Sequence, residues 1–249
     1  METAVNKLFE AYRSNSPIEL NQFDFKTKEE AYNVQDMILD LKKSELNEHL
    51  AGYKISLTSK TTQDMFICDS PLYGGMTNVT IKDKVLLSDY NEPLLELELV
   101  FLVDEDIEID DTDEIIMKKC RVAPGIEVPD GRYKNWFPNT NLYEILADGA
   151  VNGAVVIGEP QKVSYDDIDD IKGSLIFNGK FVKEGKSSEV LGHPVNSVKW
   201  LAKILNEQGK KLSKGLFIST GTFVLPERLQ VGSYEAIYEN LGSVKLEVI

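Results

Sequence analysis

The chain has 249 residues and a formal net charge of −14, from 27 Lys and Arg against 41 Asp and Glu. This length is enough for one large domain with its own core. The acidity disfavours nucleic acids and anionic membranes as partners, and no apolar segment approaches the roughly 20 residues of a membrane span. Cys68 and Cys120 fit neither a disulfide framework nor a metal-type spacing, and the first residues lack a signal-peptide pattern. We therefore expect a cytoplasmic protein.

Residues 1–50 are predicted to be helical. The first apolar residues follow helical spacing, and Thr27 with Glu30 forms a capping-box pattern that opens a second helix. The segment SNSPIELNQFDF between them is predicted to be a loop. We expect a small helical N-terminal part, 1–50, that forms one continuous structural unit with a β-rich catalytic core, 51–249.

The remainder has the short alternating segments and turn signals that are typical of strands. Strands are predicted at 52–58, 94–103, 121–128, 153–157, 173–178, 215–219, 234–239 and 243–248. One helix is predicted within HPVNSVKWLAKILNEQGKK, with Pro194 in its first turn and Gly209 at its end. The pattern indicates an α+β fold without repeats or linkers.

The segment LLELELVFLV, 94–103, places two acids on one face of a strand. Alternation puts Glu96 and Glu98 on the same side as Leu94, Val100 and Leu102. A half-exposed acidic face is one interpretation. The other is a shared divalent cation, because adjacent ionised carboxylates in an apolar setting repel each other and are costly to bury. Ligands that are all oxygen suit Mg²⁺ or Mn²⁺.

A third acid, Glu127, lies in another β-type segment between Ile126 and Val128. A single glutamate there is usually structural or solvated. It becomes a candidate metal ligand only if its strand is the neighbour of the strand with Glu96 and Glu98.

Lys54 lies in GYKISLTSK, on the polar strand face with Ser56 and Thr58. Such a lysine either reaches water or lies near a metal and a substrate carbonyl. In the second case a nearby cation would lower its pKa and make it a usable proton shuttle.

Three other segments are weaker candidates. The acid-rich segment 104–114 has Ile109 where a calcium loop needs glycine, so we interpret it as a solvated loop. His193 directly precedes a helix, which favours a structural or capping role. The segment ISTGT, 218–222, offers hydroxyls and a flexible glycine, as many turns do.

Five segments, in this order, resemble the 2-keto-4-pentenoate hydratase and 4-oxalocrotonate decarboxylase family of the fumarylacetoacetate hydrolase superfamily. They are KISLTS, the Glu-x-Glu of LLELELVFLV, PGIEVPDGRYKNW, EVLGHPVNSVKWLA and LGSVKLEV. The resemblance implies a mixed β-roll core and a homo-oligomer. It also implies Mg²⁺ or Mn²⁺ held by Glu96, Glu98 and Glu127, which would chelate the carboxylate and 2-keto oxygens of a 2-oxo acid substrate.

The resemblance further assigns roles to single positions. Lys54 and Asp69 fall on catalytic positions, and the positions implied to bind substrate are Leu57, Ser59, Asp148, Thr220 and Thr222. The chain departs from the family pattern at Gly149 and Val151, where relatives usually have Asn and Ser, and in the residues after Gly221.

The activity that the resemblance implies is a metal-dependent lyase that adds water to 2-hydroxypenta-2,4-dienoate-type substrates in aromatic catabolism. A 4-oxalocrotonate-type decarboxylase is the alternative, and an acylpyruvate-type hydrolase is a more distant one. From another class, the chain could be a 2-oxo-acid-binding protein without turnover. The intact Lys54 argues against that reading, and the departures at Gly149 and Val151 argue for keeping it.

Overall fold

A computed structural model describes all residues, 1–249. The helices are α1 (Glu2–Ser14), α2 (Lys28–Leu46), α3 (Lys60–Met65), α4 (Asp113–Lys119), the single turn α5 (Trp136–Asn139), α6 (Leu142–Ala147) and α7 (Pro194–Glu207). The strands are β1 (Leu50–Ser56), β2 (Leu72–Thr77), β3 (Lys84–Val85), β4 (Leu94–Val103), β5 (Cys120–Val128), β6 (Ala154–Ile157), β7 (Lys172–Phe177), β8 (Lys180–Lys186), β9 (Phe217–Thr222), β10 (Glu227–Arg228), β11 (Gly232–Tyr238) and β12 (Gly242–Val248).

The two predicted N-terminal helices are confirmed. Thr27 caps α2 by accepting a hydrogen bond from the Glu30 N–H, as the capping-box pattern predicts. The apolar faces of both helices join the same buried cluster as the strands. The helical part therefore covers the core directly, as a layer over the sheet. No helix of the structure has the length and apolarity that crossing a membrane requires.

The strands form two sheets. The larger has the order β2-β1-β9-β4-β5-β6, with β10 added to β4, and the smaller has the order β3-β12-β11-β7-β8. The pairings β1 with β9 and β3 with β12 are parallel, and the others are antiparallel. The Tyr238 hydroxyl on β11 donates to the Gly125 carbonyl on β5 at 2.6 Å, which connects the two sheets.

Strand β4 lies at the centre of the larger sheet. Its face with Leu97, Leu99 and Phe101 is completely buried, which explains the apolar half of its alternation. Its antiparallel pairing with β5 runs from Val103 opposite Cys120 to Glu96 opposite Glu127. This register places the predicted acids of the two strands side by side.

All eight predicted strands and the late helix are present, with ends shifted by a few residues. The strand predicted at 215–219 begins at Phe217 and ends at Thr222, because Gly215 has a positive φ of 90° that interrupts extended backbone. Strands β2, β3, β8 and β10 and the short helices α3–α6 were not predicted. In β2, Gly74 approaches the Gly149 carbonyl so closely that a Cβ would lie 1.8 Å from that oxygen. Close packing therefore explains a glycine pair that strand propensity disfavours.

Candidate metal centre and active site

Three glutamates converge where β4 and β5 pair. Glu96 lies directly opposite Glu127, and Glu98 lies two residues further along β4. One carboxylate oxygen of each lies within 4.8 Å of the others. Glu98 and Glu127 are buried and Glu96 is partly buried. Glu127 was a candidate metal ligand only if its strand lay next to the strand with Glu96 and Glu98, and the pairing of β4 with β5 meets this condition.

Burial and mutual repulsion disfavour the ionised form of these glutamates, so a nearby positive charge would stabilise the cluster. Burial, and then the charge of Glu127, raises the pKa of Glu96 to about 8. Burial followed by the charges of Glu127 and Glu96 also raises the pKa of Glu98 well above its usual range. Both oxygens of Glu127 are buried, and apart from the Lys54 ammonium, 2.7 Å from Oε1, they have no hydrogen-bond partner. A compact set of oxygen donors with free lone pairs fits a hard divalent cation.

Glu98 is oriented by β9. Its Oε2 accepts hydrogen bonds from the Ser219 hydroxyl at 2.5 Å and from the Gly221 N–H at 3.0 Å. These two bonds occupy one oxygen and leave Oε1 for another partner. Sequence analysis did not single out Ser219, although it lies in the ISTGT segment. The neighbouring Thr220 hydroxyl instead donates to the Leu99 carbonyl at 2.9 Å, away from the glutamates.

Lys54 lies against the cluster. It is buried on β1, and its Nζ is 2.7 Å from Glu127 Oε1. Burial by itself lowers the lysine pKa, but the charges of the three glutamates outweigh that effect and raise it. The interpretation of Lys54 as a solvated strand lysine is therefore wrong, because only 1% of its side chain is exposed.

A cavity of about 560 Å³, including its open mouth, leads to the cluster. Its polar lining comprises Lys54, Ser56, Thr58, Thr62, Glu96, Glu98 and Thr222. Its apolar lining includes Leu57, Phe66, Leu94, Trp136, Phe137, Ile145 and Val151. The cavity thus has a buried inner end with the charged residues, and a passage lined mostly by apolar residues connects this end to the surface.

The predicted substrate-binding residues separate into two groups. Leu57 and Thr222 line the cavity, and the Thr222 hydroxyl donates to the Val224 carbonyl at 2.8 Å. Thr220 and Ser59 do not line it. Ser59 instead caps α3 by accepting from the Thr62 N–H at 3.2 Å.

Asp148 and Asp69 lie outside the cavity. Asp148 is buried in an ion pair with Arg132, with Nε and Oδ1 2.5 Å apart, and it also accepts the Arg132 backbone N–H at 2.9 Å. The expected substrate contact of Asp148 is thus replaced by a structural one. The Asp69 side chain is 96% exposed and lies 3.6 Å from Lys28 Nζ. Its catalytic role stays a prediction that this conformation does not support.

The positions that depart from the family pattern adopt left-handed backbone. Gly149 has φ 65° and Val151 has φ 53°, and Val151 lines the cavity. An apolar side chain therefore occupies the part of the wall where the resemblance led us to expect a hydroxyl.

Two further predictions are confirmed. His193 caps α7, with its Nδ1 accepting from the Val195 N–H at 3.1 Å, and its ring stacks on Tyr165. Most residues of the acid-rich segment 104–114 are exposed, as expected of a solvated loop, although its last two residues begin α4.

Comparison with known proteins agrees with this geometry. No family model matches the chain. The chain is 28% identical over 255 residues to the 2-keto-4-pentenoate hydratase of Paraburkholderia xenovorans (strain LB400), covering 99% of this chain and 94% of that protein. It is 28% identical over 240 residues to a 4-oxalocrotonate decarboxylase of Pseudomonas putida, covering 92% of this chain and 88% of that protein.

Solved structures share the fold. The 4-oxalocrotonate decarboxylase from Pseudomonas putida G7, complexed with magnesium and adipate, matches with a TM-score of 0.89 and 25% identity over 99% of this chain and 96% of that one. A putative fumarylacetoacetate hydrolase family protein from Yersinia pestis CO92, 13% identical, matches in fold with a TM-score of 0.60 over 79% of this chain and 92% of that one.

These matches confirm the resemblance drawn from the motifs and the predicted mixed β-roll fold. They extend over nearly the whole chain, including the N-terminal helices. The chain is therefore similar over nearly its whole length to 2-keto-4-pentenoate hydratases and 4-oxalocrotonate decarboxylases, and it shares the fold of fumarylacetoacetate hydrolase family proteins.

Proposed function

We propose that the protein is a metal-dependent hydro-lyase that adds water to 2-hydroxypenta-2,4-dienoate-type substrates in aromatic catabolism. Its relatives are named for this hydratase activity. The observation that supports the proposal most directly is the buried glutamate cluster with Lys54 beside it, at the end of an apolar cavity.

Glu96, Glu98 and Glu127 would hold the cation, either Mg²⁺ or Mn²⁺. Such a cation supplies Lewis acidity toward the carboxylate and 2-keto oxygens of a 2-oxo acid. The site would be pre-organised for a cation, because Ser219 and Gly221 orient the Glu98 side chain and the pairing of β4 with β5 positions Glu127. Orienting contacts of this kind tune the affinity of ligands for a metal.

Lys54 would move the proton. Its ammonium lies at the charged end of the cavity, within 2.7 Å of Glu127, so it can exchange a proton with a substrate held there. The surrounding apolar residues, Trp136 and Phe137 among them, limit the access of bulk water to this end. The reaction joins one water to the dienol and gives 4-hydroxy-2-oxopentanoate without loss of carbon.

Turnover by the purified protein tests this proposal. With Mg²⁺, 2-hydroxypenta-2,4-dienoate should be consumed and 4-hydroxy-2-oxopentanoate formed without carbon dioxide. Lys54→Met should lower turnover by roughly 10²–10⁴-fold, the usual contribution of general acid–base catalysis, while oxalate binding is kept. Lys180→Met, which changes an exposed strand lysine, is the control and should be fully active.

Three other results would contradict the hydratase. Carbon dioxide release from 4-oxalocrotonate, with no hydration, would indicate the decarboxylase, which the match to a decarboxylase structure favours as second candidate. Tight binding of 2-oxo acids without any turnover would indicate a binding protein. Full activity of Lys54→Met would remove Lys54 from the mechanism.

The assembly and the compartment belong to the same proposal. We expect a homo-oligomer in the cytoplasm, without nucleic acid or membrane partners. The net charge of −14 and the two cysteines, which form no disulfide, agree with this expectation.

A further inference from the structure

The end of the substrate that lies away from its 2-oxo acid group would contact the wall of the cavity. That wall contains no unpaired positive charge. Lys54 is the only cationic side chain among the lining residues, and its ammonium already lies 2.7 Å from Glu127. A second carboxylate on a substrate would therefore find no counter-ion in the cavity.

The charge balance of the site also disfavours a second carboxylate on the substrate. Three carboxylates, one ammonium and one divalent cation together are neutral. A substrate with a single carboxylate adds one negative charge, which a cation held by the glutamates would offset. A diacid adds a second negative charge in an apolar passage, where an unpaired carboxylate is expensive to bury.

The passage itself is apolar and aromatic. Phe66 and Phe137 approach each other with ring centroids 6.4 Å apart, and Trp136 lies 5.6 Å from Phe137. The indole N–H of Trp136 donates to the Glu92 carbonyl, so it offers the cavity no donor. Phe66 and Phe137 are only half-buried, whereas Lys54, Glu98 and Glu127 are buried, so this pair forms the outer wall.

We propose, on the basis of the function above, that the site selects 2-oxo and 2-hydroxydienoic acids whose far end is uncharged and apolar, and that it rejects those with a second carboxylate at that end. Phe66 and Phe137 determine this specificity. The hydroxyls of Ser56 and Thr58 provide neutral polar contacts near the charged end, which a monoacid uses equally well.

A binding comparison tests the inference without requiring turnover. In the presence of Mg²⁺, calorimetry compares 2-oxopentanoate with 2-oxoglutarate, which have the same chain length and differ by a terminal methyl against a carboxylate. We expect 2-oxopentanoate to bind at least roughly tenfold more tightly, because the second carboxylate stays unpaired. Equal affinity, or tighter binding of 2-oxoglutarate, would overturn the inference.

Oxalate separates this result from a failure of the proposed function. Oxalate has no tail and tests only chelation at the charged end. Oxalate binding together with equal affinity for the two oxo acids overturns the tail specificity alone. Absence of binding for oxalate and for both oxo acids overturns the proposed function, and the inference with it.

A charge placed on the outer wall provides the converse test. Phe66→Arg should increase the affinity for 2-oxoglutarate relative to 2-oxopentanoate by about tenfold or more, since it supplies the missing counter-ion. Phe66→Gln removes the same ring without adding charge and should leave 2-oxoglutarate the weaker ligand. The same preference for 2-oxoglutarate in both variants would show that ring loss, and not charge, controls the tail.

Discussion

Glu98 is the glutamate whose position the fold specifies most completely. Its Oε2 accepts hydrogen bonds from the Ser219 hydroxyl and the Gly221 N–H, whereas the polar partner of Glu127 is the Lys54 ammonium at Oε1. The two residues therefore serve the cluster differently. Glu98 is pre-oriented by β9, and Glu127, paired with Lys54 at Oε1, keeps Oε2 free for a cation.

Glu98→Gln should greatly weaken Mg²⁺ and Mn²⁺ binding, because it removes a ligand charge from the cluster. Ser219→Ala should have a smaller effect, roughly 10–100-fold, which is typical for the loss of a residue that orients a ligand. Calorimetric titration with each ion measures both. Glu247→Gln changes an exposed acid on β12 and should bind like the parent. Unchanged affinity in Glu98→Gln would remove the metal hypothesis.

Among the elements, strand β4 was predicted to the residue and β8 was missed. Alternation of buried and acidic positions marks β4 clearly, while KFVKEGK in β8 is mostly charged and lies at a sheet edge. The partner of β4 could not be predicted from one sequence, because strand pairing depends on contacts between distant segments. For the same reason Ser219 was missed and Asp148 was assigned to substrate: their partners, Glu98 and Arg132, lie on other elements.

The ion pair between Asp148, at the end of α6, and Arg132, in the loop after β5, connects these two segments. Asp148→Asn should lower the free energy of unfolding by about 3 kcal/mol or more, since it leaves the buried Arg132 guanidinium without its counter-charge. Urea unfolding measures this loss. Asp104→Asn, which breaks the partly exposed pairs of Asp104 with Arg121 and Lys162, is the matched control and should cost at most about 1 kcal/mol.

The same Asp148 variant also tests the corrected placement of this residue. Its oxalate affinity, measured where the variant is fully folded, should equal that of the parent, because Asp148 does not line the cavity. Loss of oxalate binding at unchanged stability would instead return Asp148 to the substrate site.

At the scale of the whole molecule, the glutamate cluster couples stability to pH and to metal. The pKa of Glu96 is about 8 in the folded protein against an ordinary 4.5. Between these values the native state binds more protons than the unfolded state, so stability falls as the pH rises from 4.5 to 8. A cation that binds the ionised carboxylates opposes this loss.

In EDTA the melting temperature should therefore be lower at pH 8 than at pH 5.5. Saturating Mg²⁺ should raise it more at pH 8 than at pH 5.5. Binding to the folded state alone adds about 2.7 kcal/mol at a hundredfold excess over Kd. Scanning calorimetry at both pH values measures these shifts, and Glu96→Gln should reduce the pH dependence. A melting temperature indifferent to EDTA and Mg²⁺ at both pH values would show that the carboxylates share no cation.

The position of β9 has a consequence for synthesis on the ribosome. This strand lies between β1 and β4 in the larger sheet, yet it is made long after both of them. A growing chain that ends before Phe217 already has Lys54 and all three glutamates, but it lacks the strand that joins their two halves of the sheet and holds Glu98. The glutamate cluster can therefore be completed only when β9 has emerged, so we expect any metal to be loaded late in the synthesis of the protein.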